Sequence, residues 1–129
     1  MRSGLDLHDS RIDSVEICDS DANVHFSHAY IHKSKGAPGR DPGTAWSQEA
    51  LLVISGAIIT AQLPPLPNTI SDGYLEVGGI EHTLLPLPFT RKADVNLSLV
   101  FTDGTSLTLS GRGAAVTLLG QAIFLEDFP

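Results

Sequence analysis

Cysteine is almost absent from this chain of 129 residues: Cys18 stands alone, so no disulfide can form within it and a reducing compartment is favoured. Positive charge is scarce as well. Eight Lys and Arg face fifteen Asp and Glu, a formal charge of −7, which argues against a phosphate-backbone ligand and for a soluble protein or a cationic protein partner. Aromatic residues are few, and no aromatic–basic nucleic-acid motif or glycine-rich phosphate loop is present. No apolar run reaches the ~20 residues of a membrane-spanning helix. The longest, 50–63, is interrupted by Ser55, Gly56, Thr60 and Gln62. The first residues lack the apolar core of a signal peptide, and a cytoplasmic location is expected. The length suits one domain spanning residues 1–129, and the oligomeric state is not legible.

What is present is alternation. Val95, Leu97, Leu99 and Phe101, then Leu107 and Leu109, repeat at the period of a strand with one buried face. A two-residue Asp103-Gly104 loop would set Phe101 against Ser106 and mix apolar with polar on each face. A three-residue loop, Thr102-Asp103-Gly104 with Gly104 left-handed, sets Leu99 against Leu107 and Leu97 against Leu109. Ile12–Cys18 and Val24–Lys33 form a second predicted hairpin around Asp19–Ala22. Placing Ile17 against Val24 and Val15 against Phe26 brings Asp13 opposite His28. Residues 34–45, with three Gly and two Pro, are predicted to be a mobile loop. The stretch 46–63 reads as one bent strand, because Val53, Ile54, Ile58, Ile59 and Thr60 are β-branched and Gly56 would weaken a helix. Leu63–Pro67 is an extended connector. Tyr74–Val77 and Ile80–Leu84 turn on Gly78-Gly79, Leu85–Phe89 closes that section, and Ala114–Leu119 with Gln121–Phe128 supply the last strands. The expectation is an all-β, mostly antiparallel sandwich or open barrel of about seven to nine strands.

Several residues have chemistry to weigh. A carboxylate beside an imidazole fixes its tautomer as a general base requires, so Asp13 and His28 are the catalytic candidates; a structural ion pair is the plainer alternative. Ser10, Ser14 and Cys18 lie near in sequence, but no nucleophile motif ties them to the pair, and Cys18 is expected to pack inside. His25, His28 and His32 would make a metal face on a helix. On a regular strand His25 points away from the other two, so neither metal nor cofactor is expected. Glu76 and Glu81 should face each other across Gly78-Gly79, an acid-pair geometry near a solvated turn. Trp46, Lys35 and Arg40 are the binding candidates, since the loop and the sole tryptophan adjoin one another. Lys33, Arg91 and Lys92 complete two basic loops that would hold an anion if they met.

The opening Leu7-His8-Asp9-Ser10, Ile12 and Ser14–Ile17 resemble the start of certain small bacterial all-β domains of uncharacterised function. The tail, an Asp-Gly hairpin followed by Gly120–Asp127, is similar to theirs too. The acidic, cysteine-poor make-up is shared with immunity-type proteins that neutralise bacterial toxins. The resemblance carries over no functional residue. Three functions remain open from sequence: a non-enzymatic module that binds another protein through an acidic face or a sheet edge, including an immunity or accessory factor; a sugar or metabolite binder using Trp46; and a small hydrolase or isomerase built on Asp13 and His28.

Overall fold

The computed structural model describes residues 1–59 and 61–129. They form eleven strands and no helix: β1 Arg2–Cys18, β2 Asp21–Ser34, β3 Gly43–Ser55, β4 Ile58–Ile59, β5 Asn68–Val77, β6 Ile80–His82, β7 Leu84–Leu87, β8 Phe89–Arg91, β9 Val95–Phe101, β10 Ser106–Gly111 and β11 Gly113–Phe128. Every pairing is antiparallel. The order is β4-β10-β9-β5-β1-β2-β3-β11-β8, with β6 on β5 and β7 on β1. The sheet curls into a half-barrel. The reason is visible at Leu84–Arg91: β7 pairs with β1, β8 pairs with β11, and only Pro88 separates them. One short segment thus joins the two outer strands of the β1-β2-β3-β11 sheet and bends it around the core.

The β9–β10 hairpin has the register expected from its alternation. Leu107 pairs with Leu99 and Leu109 with Leu97, and all four are buried. Phe101 and Thr105 close the loop by hydrogen bonding, and Gly104 has φ +86°. Their apolar face meets Ile12, Phe26, Leu52 and Ile70 in one core shared by both halves of the sheet. Glu76 and Glu81 do face each other, both at exposed or half-exposed positions.

The first hairpin differs from its expected register. Its turn is only Asp19-Ser20, with Asp19 at φ +57°, so Cys18 pairs with Asp21 and Val15 with Val24. Asp19 accepts the left-handed conformation that a tight hairpin demands, and this removes two residues from the predicted loop. Cys18 is consequently exposed beside the turn, not packed inside. The stretch after Trp46 is strand as expected, but β3 stops at Ser55. Gly56, at φ +58°, turns the chain so that β4 pairs with β10; Thr60 lies outside the described residues. The predicted loop is shorter than 34–45, because Ser34 and Gly43–Ala45 belong to strands. Its remainder closes on itself: Ser34 Oγ–H donates to the Pro42 carbonyl at 2.8 Å, and Ala37 N–H to Asp41 Oδ2 at 2.7 Å.

Candidate functional site: the outer face of β2 and the open edge of β11

Two bulges decide which side chains share the outer face. Between Phe26 and Ala29, β2 advances three residues while β3 advances two, from Ala50 to Gln48. The phase reverses there, so Val24 and Phe26 are buried before the bulge and Ala29 and Ile31 after it. His25, His28, Tyr30 and His32 therefore all lie on the outer face, where a regular strand would have separated His25 from the others. The second bulge is in β1, where Ile12 pairs with Phe26 but Ser14 with His25. Asp13 is the extra residue.

This irregularity corrects the predicted Asp13–His28 pair. Asp13 Oδ1 meets His25 Nδ1 at 2.5 Å, and Glu49 Oε2 takes His25 Nε2 at 2.5 Å. Partial burial, the largest single influence, lowers the His25 pKa. Hydrogen bonds to Glu49 and Asp13, with the attraction of both charges, together outweigh it and hold the pKa above its ordinary 6.5. Both ring nitrogens then serve as donors, which suits a cation bridging two acids and leaves neither free as a base. His28 instead approaches Ser47 Oγ at 3.2 Å through Nδ1, at an exposed position. A shallow hollow of about 280 Å³ lies there, lined by Asp9, His28, Tyr30, Ser47 and Leu125 among others.

Further along, Tyr30 donates to Glu126 Oε1 at 2.7 Å. That hydrogen bond, then burial and the charges of Glu126, Asp9 and Asp6, push its phenol up to about 12. His32 is buried between the rings of Tyr30 and Phe128, each 5.0 Å away. Its Nε2 lies 3.2 Å from Asp6 Oδ2, and its Nδ1 has no hydrogen-bond partner among the described residues. The described residues contain no group of three or more His, Cys, Asp or Glu arranged to hold a metal.

The binding candidates are dispersed. Trp46 pairs with Ile31 and Phe124, which puts it on the inner side of the sheet. Its ring packs edge-on against Phe124 at 5.4 Å, Lys33 Nζ sits 4.5 Å from its centroid, and its N–H donates to Thr44. Little of the ring remains for a sugar to stack on. Lys35 and Arg40 are exposed on the loop. Arg40 borders a hollow of about 290 Å³ with Asp6, Pro38 and Thr83. The two basic stretches have separate places, since Lys33 covers Trp46 while Arg91, in β8, covers Phe89 at 4.6 Å.

The sequence marks strands at 114–119 and 121–128, which the structure joins into β11, but it singles out no residue there as functional. One edge of β11 pairs with β3 from Gly113 to Phe128, while the other meets β8 only at Ala114–Val116. From Thr117 onward that second edge is open among the described residues. Leu118 is 39% exposed, Ile123 63%, Phe124 50% and Leu125 47%. Consecutive apolar residues at 123–125 cannot all point inward from a strand, and that run was the available signal. In comparisons with protein-family models, curated proteins and solved structures, nothing matches this chain significantly.

Proposed function

We propose that this protein is a non-enzymatic interaction module that binds another protein by strand addition to the open edge of β11. The observation that carries this reading is the unpaired edge from Thr117 to Phe128, with Leu118, Ile123, Phe124 and Leu125 exposed along it. Unpaired backbone donors and acceptors provide the affinity in such binding, and alternate side chains provide the specificity. Soluble proteins usually blunt a long apolar edge with Lys or Pro, yet no charged residue and no proline interrupts 113–125. The charge of −7 keeps such an edge from indiscriminate association. The Asp13–His25–Glu49 cluster supports a structural role for His25, since both its ring nitrogens are engaged.

The test is affinity capture from the native source, with the wild type beside Ile123→Lys/Leu125→Lys. A partner retained by the wild type and lost by the variant is the expected result. A cationic partner would in addition be released as salt rises. Turnover of a metabolite that His28→Ala abolishes would overturn the reading. One observation favours a second role as a small-molecule binder: an apolar cleft of about 410 Å³ between the loop residues Ala37 and Pro38 and Leu84, Pro86 and Leu87, with Arg2 and His82 at its rim.

A further inference from the structure

We propose that the cleft between the 37–38 loop and β7 takes a small carboxylate with an apolar body, its acid end held by Arg2 and His82. The inference rests on the reading of this cleft as a small-molecule site, and it names the ligand class.

The walls meet over β1. Gly4 pairs with His32 on one side and with Pro86 on the other. A Cβ on Gly4 would come within 2.8 Å of Leu84, so only a glycine there lets Leu84 lean over the strand. The loop approaches from the other side. Gly39, at φ +80°, would place a Cβ 3.6 Å from both Leu84 and the His32 ring. Ala37 and Pro38 then face Leu84, Pro86 and Leu87 across about 410 Å³. The loop wall is held by its own hydrogen bonds. Asp41 accepts the Ala37 N–H, and the N–H groups of Arg40 and Asp41 donate to the Ala37 carbonyl at 3.1 and 2.8 Å. A wall fixed in advance lowers the ordering cost of binding.

Backbone geometry favours a small molecule over a peptide strand. Leu7 N–H donates to the Thr83 carbonyl at 3.1 Å, so residues 83, 85 and 87 turn their backbone groups to β1, while 84 and 86 turn theirs outward. Pro86 has no N–H, which leaves Leu84 as the one donor along β7 for an added strand.

Charge selects the ligand. No Asp or Glu lines the cleft, although the chain has fifteen acids. The acids nearby are committed elsewhere: Asp41 to the Ala37 N–H, and Asp6 to the His8 N–H and His32 Nε2. Arg2 makes no salt bridge among the described residues. The His82 ring packs edge-on against Phe89 at 6.1 Å, and it carries an N–H in either tautomer. A guanidinium fork and an imidazole donor thus border an apolar wall. A carboxylate matches the fork, and an apolar body covers Pro38, Leu84 and Leu87.

Nuclear magnetic resonance titration of the isotope-labelled full chain with octanoate tests the proposal. Amide shifts should gather at Ala37, His82, Leu84 and Leu87. Octanol, with the same chain and no charge, should bind about fivefold more weakly, and acetate about a hundredfold more weakly. Arg2→Gln should reduce octanoate to the level of octanol. Arg2→Glu should reject octanoate and admit octylammonium, which the wild type refuses. Arg2 is exposed, and circular dichroism checks that both variants keep the fold. Octanol binding as tightly as octanoate at these residues, or octanoate indifferent to both Arg2 variants, would overturn the carboxylate and leave the small-molecule reading standing. Shifts gathered in 117–128 instead, or no shifts with any of these probes, would overturn that reading as well.

Discussion

Ser10 is fully buried in a part of β1 where regular pairing fails, between the Asp6–Tyr30 and Arg11–His28 pairs. Its hydroxyl donates to the Asp6 carbonyl at 2.6 Å and accepts the Tyr30 N–H at 2.9 Å. A side chain thus completes what the ladder leaves open. Ser10→Ala should destabilise the protein by about 1–3 kcal/mol, the usual effect of stranding a buried donor, measured by urea denaturation. His25 gives a pH-dependent counterpart. Its pKa is raised in the folded state above 6.5, so the folded protein binds that proton more tightly than the unfolded chain. The stabilisation is complete below about 6.5 and is lost as pH rises through the raised native value. The cluster is partly exposed, with His25 26% and Glu49 45% accessible, so the effect is at most about 1 kcal/mol. His25→Gln should therefore differ from the wild type at pH 6 and approach it at pH 9 in the same assay. An unchanged difference across that range would show that the ion pairs contribute nothing.

At the scale of elements, the β9–β10 hairpin is where local pattern and tertiary packing agree. Leu99 and Leu107 are buried neighbours, and Leu99→Ala should destabilise by about 2–5 kcal/mol, including the cavity left behind. An unchanged denaturation midpoint would contradict the register. Two glycines separate backbone strain from steric conflict. Gly104 has φ +86° and open space around a built Cβ, so Gly104→Ala should cost about 1 kcal/mol from conformation alone. At Gly43 the Cβ would overlap the Lys33 carbonyl, and nothing there but the backbone can yield. Gly43→Ala should be the more damaging of the two, because β2 and β3 must part to admit it; thermal unfolding of both variants gives the order.

On the scale of the whole molecule, the strands are unequally secured. β2 is flanked by β1 and β3 along nearly its full length, whereas β11 beyond Val116 has a neighbour on one side only. Hydrogen exchange at low protein concentration should find the slowest amides in β2, and faster exchange in 117–127.

By itself the sequence determined the class and the best-patterned hairpin. Alternating apolar residues with an Asp-Gly turn admit one register that keeps one face apolar, and that constraint is local. Opposition of Glu76 and Glu81 across Gly78-Gly79 was legible for the same reason. The partner of Asp13 was not. It depends on a two-residue turn at Asp19-Ser20 and on bulges that inserted Asp13 in β1 and reversed the phase of β2, and each such shift moves every later side chain to the opposite face. The open edge of β11 was beyond reach too, although the apolar run 123–125 was visible. Whether a strand edge is covered depends on distant segments, and here it depends on β8 beginning only at Phe89, a boundary that only the crossing from β7 through Pro88 decides.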